Sequence, residues 1–326
     1  MPSSILNRPS SPILVTGGGG FIGSHLVERL LGDGHRVIVI DDFSTGSMAN
    51  LKAVKNNPRL KIIRSKISEC KNLPVLAARA EFIFHLAAVV GVELVVKSAM
   101  RVLESNFLET EALLHAAAKH GTPVLVASTS EVYGKSARAE FAEDDDLLIG
   151  PPTQSRWSYA CSKLSDEFVS LACAREQNLP VIISRLFNTV GPRQTGRYGM
   201  VLPRFIEAAK GNKPLRVCGD GKQTRCFCLV TDVVEALVRL SHCQKARGEI
   251  FNIGGTEEIS ILDLAKRVVD TLGSKSQIEL VPYEKAYAPG FDDMRRRKPR
   301  VEKLGRFVHF KPQTSLTEII RRTAGV

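Results

Sequence analysis

A tyrosine and a lysine stand four positions apart in the segment Tyr159-Ala160-Cys161-Ser162-Lys163. On a helix this spacing places both side chains on one face. A nearby ammonium, together with the positive ring of a nicotinamide, is expected to lower the pKa of the tyrosine from its usual value of about 10. The phenolate would then take a proton from a sugar or alcohol hydroxyl while a hydride leaves for the nicotinamide. The plainer alternative is an exposed lysine beside a packed tyrosine.

Three hydroxyl side chains precede this tyrosine by about 30 residues, in Ser128-Thr129-Ser130. They follow Val126-Ala127, so they stand at the end of a predicted strand. Hydroxyls in this place can hydrogen-bond both the oxygen of a substrate and the phenol of Tyr159. This second feature favours catalysis over a chance occurrence of the tyrosine-lysine spacing.

A glycine-rich turn near the start of the chain provides a place for a dinucleotide. The apolar run 13–15 stops at Gly17-Gly18-Gly19-Gly20, and a helical pattern of apolar residues begins at Phe21 and passes through Gly23. A strand, a tight turn and a helix in this order offer backbone N–H groups and a positive helix end to a pyrophosphate. The glycine spacing is GxxGxxG rather than the more common GxGxxG, so the context carries the prediction.

Two acids follow the next predicted strand, at Asp41 and Asp42. They lie about 20 residues beyond the glycine turn, where a dinucleotide fold places the acid that binds the adenosine ribose. A carboxylate there repels a 2′-phosphate. The sequence therefore predicts NAD rather than NADP.

Composition favours an ordinary globular enzyme. The chain has 326 residues, of which 44% are hydrophobic, and no run approaches the length of a membrane span. Its formal charge of +11 suits an anionic small molecule, and the densest basic run, 295–298, lacks the interleaved aromatics of a nucleic-acid module. Seven scattered cysteines indicate free thiols in a reducing cytoplasm, and they show no metal-ligand spacing.

Strands alternate with helices over the first 186 residues, which predicts an α/β fold with a Rossmann-type doubly wound parallel sheet. The C-terminal third mixes short strands and helices and predicts a smaller α/β substrate-binding domain. Residues 1–12 are expected to be a loose tail. The predicted division is 13–186 for the NAD-binding domain, with 226–255 returning to it, and 187–225 with 256–326 for the smaller domain. Predicted strands include 60–64, 81–86, 124–128 and 181–186, and the long predicted helices are 99–120 and 155–177.

These motifs resemble the extended short-chain dehydrogenase/reductase family, and within it the NAD-dependent nucleotide-sugar epimerases, dehydratases and decarboxylases. Besides the glycine turn and Tyr159/Lys163, the matching segments are 84–88, 128–130, 185–192 and 219–225. The resemblance implies catalysis by Thr129, Tyr159 and Lys163, a UDP-sugar-type substrate whose diphosphate is contacted by Asn188 and Arg225, and a homodimer formed through helices 99–120 and 155–177. The residues that it implies for NAD are Gly17, Gly20, Phe21, Ile22, Gly23, Asp41, Asp42, Ile67, Leu86, Ala87, Tyr159 and Lys163.

One position departs from the pattern of this family. The strand that begins at Leu60 is usually followed by an acid that binds the adenine, but Lys66-Ile67 occupies this place. Either the backbone of Ile67 holds the adenine alone, or the register of the comparison is shifted here.

Members of the resembled group share a first step, in which the tyrosine takes the proton of the sugar O4 and NAD takes the hydride of C4. The resulting 4-ketone has three fates. Return of the hydride to the other face gives a 4-epimerase, and loss of water across C5 and C6 gives a 4,6-dehydratase. When C6 is a carboxylate, the intermediate is a β-keto acid that can lose carbon dioxide.

Two features favour decarboxylation of UDP-glucuronate to a UDP-xylose-type product. Glu131 follows the hydroxyl segment, where simple epimerases usually carry a small or hydroxyl residue, and Arg297 lies in an Arg-Lys-Pro segment that resembles UDP-glucuronate decarboxylases. Arg297 would pair with the uronate carboxylate or serve its loss. The segment 87–92 instead resembles the epimerases, so a UDP-sugar 4-epimerase is the first alternative and a dehydratase the second. A catalytically silent NAD-binding protein is the alternative from another class.

Overall fold

The computed structural model describes residues 11–90, 98–194, 200–282 and 294–326. Most of the predicted tail and the end of segment 87–92 lie outside these residues. The strands are β1 (Ile13–Thr16), β2 (Val37–Asp41), β3 (Leu60–Arg64), β4 (Phe82–His85), β5 (Val124–Thr129), β6 (Val181–Leu186), β7 (Thr189–Val190), β8 (Leu215–Cys218), β9 (Thr224–Cys226), β10 (Cys228–Leu229), β11 (Glu249–Ile253), β12 (Glu258–Ser260) and β13 (Ile278–Val281).

Seven of these strands form one parallel sheet in the order β11-β6-β5-β4-β1-β2-β3. Its central strands are mostly apolar and almost entirely buried, because helices cover both faces of a doubly wound sheet. The strand order reverses at β1 and β4, and in such sheets ligands bind in the crevice beyond the carboxyl ends at this switch point. The predicted fold class is confirmed.

The helices pack in two layers on the large sheet and in a smaller unit beside it. None of those in the described ranges joins the length to the apolarity that crossing a bilayer would require. They are α1 (Phe21–Gly32), α2 (Leu73–Arg79), α3 (Ala99–Ala118), α4 (Trp157–Glu176), α5 (Val201–Lys210), α6 (Val230–His242), α7 (Ile261–Leu272), α8 (Glu302–Val308) and α9 (Leu316–Ala324).

The two faces of the sheet have separate cores. Leu26 and Leu30 of α1 pack with α6 on one face, whereas Leu113 of α3 and Cys173 of α4 pack with α2 on the other. A third core joins α5, α7 and α9 to the short strands β8 and β10 in the smaller unit. Each amphipathic helix thus places its apolar face on one core.

Helix α8 departs from the predicted division of the chain. The sequence places residues 256–326 in the smaller domain, but Leu304 and Val308 of α8 belong to the core of the large sheet. Strand β11 lies within the segment 226–255 that is predicted to return to the large domain, and it pairs with β6 in that sheet. The short helix is held there by Phe307, which packs edge-on against Phe251 of β11 with ring centroids 5.1 Å apart.

A buried ion pair ties α4 to the sheet beneath the site. Arg185 of β6 donates to both oxygens of Glu167, from Nε at 3.0 Å to Oε1 and from Nη2 at 2.7 Å to Oε2. Only 3% of either side chain is exposed. Arg185 also donates to the Tyr133 hydroxyl at 3.0 Å. Two charges this deep remain stable only because each is fully paired.

Removing one partner of this pair is expected to destabilise the fold strongly. Glu167→Gln leaves the Arg185 guanidinium without a counter-charge, which costs about 3 kcal/mol in the free energy of unfolding. Glu318→Gln removes the same charge from an exposed pair with Arg322 on α9, at a cost below about 0.5 kcal/mol. Urea unfolding followed by circular dichroism measures both variants, and equal losses would contradict the proposed role of burial.

Candidate active site

A cavity of about 460 Å³ lies at the carboxyl ends of the central strands, between the large sheet and the smaller unit. It brings together most of the predicted site residues from distant parts of the chain. Two of them, Lys163 and Arg225, do not line it. The predicted residues that do are Gly17, Gly20, Phe21, Ile22, Gly23, Asp41, Asp42, Ile67, Leu86, Ala87, Thr129, Glu131, Tyr159, Asn188 and Arg297.

The glycine turn has the geometry that an anion needs. Gly17 has φ +70°, and a Cβ added there would lie 2.7 Å from the backbone nitrogen of Ala87. A Cβ on Gly23 would lie 2.1 Å from the carbonyl oxygen of Gly17, so the helix can approach the turn this closely only with glycine. Helix α1 then begins at Phe21 with no side chain capping it and no acid in its first turn. Its first N–H groups therefore face the cavity as an anion site.

Asp41 couples the end of β2 to this turn. One carboxylate oxygen accepts from the backbone N–H of Gly19 at 2.7 Å and the other from that of Phe43 at 2.8 Å. Burial raises the pKa of Asp41, and these two hydrogen bonds oppose the change. Each oxygen keeps a further lone pair, so the carboxylate can still accept from a ribose hydroxyl. Asp42 is tied to its own loop, where it accepts from the backbone N–H of Ser44 at 2.8 Å.

The loop after β3 supplies no acid of its own to the cavity. Ile67 is buried there, but its backbone N–H donates to the carboxylate of Glu109 at 2.5 Å rather than standing free. Lys66 is about half exposed and pairs with Glu69 at 2.7 Å. Sequence reasoning missed Glu109, because it lies on α3 and is brought to this loop only by packing.

Tyr159 lies at the other end of the cavity, beside Thr129. The phenol packs against Val89 and Val102 and has a hydrogen bond with the Thr129 side chain. Burial, followed by the charges of Glu131 and Asp166, raises the pKa of Tyr159 above its usual value. In the protein by itself, these effects outweigh any lowering of this pKa by Lys163.

The position of Lys163 explains why its ammonium does not keep the pKa of Tyr159 low. Its ammonium donates to Asp166 at 2.7 Å, and the two side chains are 2% and 0% exposed. The carboxylate of Asp166 therefore offsets most of the effect of the Lys163 charge on the pKa of the phenol. The lysine thus lies beneath the cavity wall, and Asp166, three residues further along α4, is a partner that the sequence analysis did not identify.

The three hydroxyls of residues 128–130 have different surroundings. The Ser128 hydroxyl donates to Glu167 at 2.5 Å and so belongs to the buried pair beneath the site. Thr129 accepts from the backbone N–H of Glu131 at 3.2 Å, which fixes its hydroxyl at the cavity wall. The Ser130 hydroxyl is buried at the cavity and has no hydrogen-bond partner within the described part of the chain.

Glu131 lies between two guanidinium groups. Arg297 Nη2 donates to one of its carboxylate oxygens at 2.5 Å, and Arg156 Nη2 donates to the other at 3.2 Å. Burial alone would raise the pKa of Glu131, but Arg297, then Arg156 and Arg225, lower it to about 2. Glu131 is therefore an anion at neutral pH and is fixed in place. The three guanidinium groups around it leave an excess of positive charge.

Two predicted substrate residues support this cluster from the smaller unit. Asn188 has φ +23°, its amide donates to the carbonyl of Cys226 at 2.8 Å, and its amide oxygen accepts from Arg297 at 3.3 Å. Arg225 donates to the carbonyl of Thr224 at 2.7 Å and is buried behind the cavity. Arg225 therefore acts on the site through its charge.

A family model described as the NAD dependent epimerase/dehydratase family matches residues 13–254. The chain belongs to this family. Its members use NAD, and a Bacillus cereus UDP-glucuronic acid 4-epimerase of the same fold was solved with NAD, at 30% identity and a TM-score of 0.86 over 96% of this chain and 98% of the other. NAD is the cofactor, and the uncapped start of α1 and the glycine turn fit its pyrophosphate.

Other related proteins are similar to this chain over nearly its whole length. A UDP-N-acetyl-alpha-D-glucosaminuronate decarboxylase of Bacillus cytotoxicus is 42% identical over 311 residues, which cover 95% of each chain. UDP-glucuronic acid decarboxylase 4 of Arabidopsis thaliana is 34% identical over 96% of this chain and 68% of its own length. A UDP-N-acetylglucosamine 4-epimerase of Methanobrevibacter ruminantium has a TM-score of 0.88 at 27% identity, covering 98% of both chains. The chain is thus similar to both decarboxylases and epimerases, and is an enzyme of this NAD-dependent family.

Proposed function

We propose that this protein decarboxylates a UDP-uronate through a 4-keto intermediate, with a 2-acetamido uronate as its preferred substrate. The observation that carries the proposal is the Arg156–Glu131–Arg297 cluster beside Tyr159, since simple epimerisation needs no excess positive charge there. The 42% identity to the Bacillus cytotoxicus decarboxylase over 95% of both chains supports the acetamido sugar.

Tyr159 begins the reaction as its base. It removes the proton of the sugar O4 while Thr129 holds the same oxygen by a hydrogen bond. NAD, when bound, would supply the acceptor for the C4 hydride and the source of the hydride that returns. Lys163 and the positive nicotinamide ring would lower the phenol pKa that burial raises in the protein by itself. Lys163 would act on the phenol through its charge, because it lies beneath the cavity wall.

The carboxylate is lost once C4 is a ketone. The C5–C6 bond breaks, its electron pair passes into the C4 carbonyl as an enolate, and carbon dioxide leaves. C5 then takes a proton from solvent, which restores the C4 carbonyl. The hydride returns to C4 while O4 takes back the proton held by Tyr159. The net change is one proton taken up and one carbon dioxide released, with no net oxidation by the cofactor.

Arg297 binds the uronate carboxylate in this proposal, and Glu131 positions Arg297. A carboxyl with a pKa of about 2 carries almost no proton at neutral pH, so Glu131 is not the donor to C5. Asn188 fixes the Arg297 guanidinium from the side of the smaller unit. Arg225 attracts the diphosphate of the nucleotide from behind the cavity wall. The remaining predicted glycine-turn and strand-end residues, with Ile67, Leu86 and Ala87, hold NAD.

The deciding experiment is incubation of the purified protein with three substrates, UDP-N-acetylglucosaminuronate, UDP-glucuronate and UDP-glucose, with products identified by mass and NMR. We expect loss of carbon dioxide from the two uronates, faster with the acetamido sugar, and no change of mass with UDP-glucose. An epimer of unchanged mass would establish a 4-epimerase instead, and a 4-keto-6-deoxy product a dehydratase. Bound NAD without turnover of any sugar would establish the silent binding protein.

We propose that the protein is a cytoplasmic homodimer formed through α3 and α4. These helices pack together and leave large apolar side chains in solvent, where Met100 is 69% and Phe168 64% exposed. Leu103, Phe107 and Leu108 add to this surface on α3. A second copy would cover it. All seven cysteines are free, which supports a reducing compartment.

Charge placed in this surface is expected to separate the copies. Phe168→Glu should convert a dimer of the parent protein into a monomer in sedimentation velocity, because burying a carboxylate in an apolar interface is costly. Val75→Glu is the matched control, since Val75 is 50% exposed on α2 and lies outside the surface. A variant at Phe168 that still sediments as a dimer would show that another surface forms the interface.

A further inference from the structure

The adenosine end of the cavity has a carboxylate that comes from a helix rather than from a strand end. The proposed function puts the pyrophosphate of NAD at the glycine turn and its nicotinamide beside Tyr159, so the adenosine would extend toward Asp41 and Ile67. Glu109 of α3 lines the same end of the cavity. Its carboxylate is therefore placed to contact the adenine of NAD rather than the nicotinamide.

Three hydrogen bonds hold this carboxylate in a fixed position. Oε2 accepts from the backbone N–H of Ile67 at 2.5 Å and from that of Ser68 at 3.0 Å. Oε1 accepts from the Ser68 hydroxyl at 2.6 Å. Two carboxylate oxygens offer about four acceptor positions, so Oε1 keeps one for a further donor. The carboxylate is thus pre-organised and has a single vacant acceptor position.

We propose that Glu109 recognises the adenine ring by accepting a hydrogen bond from its exocyclic amino group. Adenine presents an N–H donor at this edge, and an ionised carboxylate is a strong acceptor. Lys66, the residue that follows the strand end, cannot do this, because an ammonium has no acceptor and its partner is Glu69. The backbone N–H of Ile67 does not bind the adenine itself, since it donates to Glu109 and holds that carboxylate in place.

The proposal predicts a change of base preference in Glu109→Gln. The amide oxygen can keep the two backbone hydrogen bonds, while the amide nitrogen replaces Oε1, donates to the Ser68 hydroxyl and turns a second N–H toward the base. A donor there opposes the amino group of adenine but suits hypoxanthine, whose O6 is an acceptor. The parent protein should bind reduced NAD about tenfold more tightly than reduced nicotinamide hypoxanthine dinucleotide, and the variant should lose or reverse this preference.

Binding can be measured without turnover. The chain has one tryptophan, Trp157, at the start of α4, and energy transfer from it to the reduced nicotinamide reports the dissociation constant of each dinucleotide. Glu111→Gln is the control, since Glu111 lies on the same helix and faces His115 at 3.7 Å. It should keep the parent preference.

Two results would overturn the assignment. An unchanged preference in Glu109→Gln would show that the carboxylate does not contact the base. Equal weakening of both dinucleotides would show that Glu109 only braces the loop at Ile67 and Ser68. Because the readout is binding, it is independent of whether the enzyme decarboxylates or epimerises its sugar.

Discussion

Replacing Tyr159 with phenylalanine is expected to lower turnover by about 10³-fold while NAD stays bound. The phenol is the one group that we place to accept the O4 proton, and positioned acid–base groups contribute about 10²–10⁴-fold. The ring itself packs against Val89 and Val102, so its apolar contacts survive the change. Product formation from the UDP-uronate and the absorbance of bound dinucleotide measure the two quantities separately.

Tyr133→Phe is the matched control for this variant. Tyr133 is fully buried away from the cavity, and its hydroxyl donates to Asn252 at 2.8 Å and accepts from Arg185. Loss of that hydroxyl should cost about 1–2 kcal/mol in the free energy of unfolding but leave the chemical step intact. If Tyr159→Phe kept turnover within tenfold of the parent protein, another group would have to be the base.

Arg297→Met is expected to reduce the release of carbon dioxide from a UDP-uronate by about 10²–10³-fold, the usual cost of removing one electrostatic contact to the reacting group. Methionine preserves much of the length of the side chain but removes the charge that binds the substrate carboxylate. Removing Arg297 also takes away the largest influence that lowers the pKa of Glu131, so this pKa should rise. Carbon dioxide release and the KM for the uronate are the measurements.

The neighbouring arginine provides the control. Arg296 pairs with Glu258 through two hydrogen bonds, its side chain is 48% exposed, and it does not line the cavity. Arg296→Met should therefore decarboxylate at close to the parent rate. The double variant Glu131→Gln with Arg297→Met removes both members of this ion pair. It therefore separates lost binding of the uronate from the cost of leaving Glu131 with Arg156 as its remaining arginine partner. Equal rates for the two single arginine variants would contradict the role of Arg297.

Local patterns were sufficient to predict the long strands and helices of the large sheet. The predicted strands 60–64 and 181–186 match β3 and β6, and the predicted helix 99–120 differs from α3 by two residues at its end. Apolar runs and helical periodicity depend on neighbouring residues, so they can be recognised without knowing the packing. The seven residues of α8 fall in the range predicted for the smaller domain, because so short a segment contains no signal for the core that it joins.

The sequence by itself determined that this chain is an NAD-dependent α/β enzyme, and it predicted a tyrosine as the catalytic base. The glycine turn, the acids after β2 and the spacing of Tyr159 and Lys163 are all local features, so residue type and spacing carry them. Only the tertiary structure showed that Asp166 pairs with Lys163, that Glu109 accepts from the backbone of Ile67, and that Glu131 pairs with Arg297, 166 positions away. The partner of a buried charge is chosen by packing between distant elements, and the desolvation that makes the pairing obligatory exists only in the folded chain.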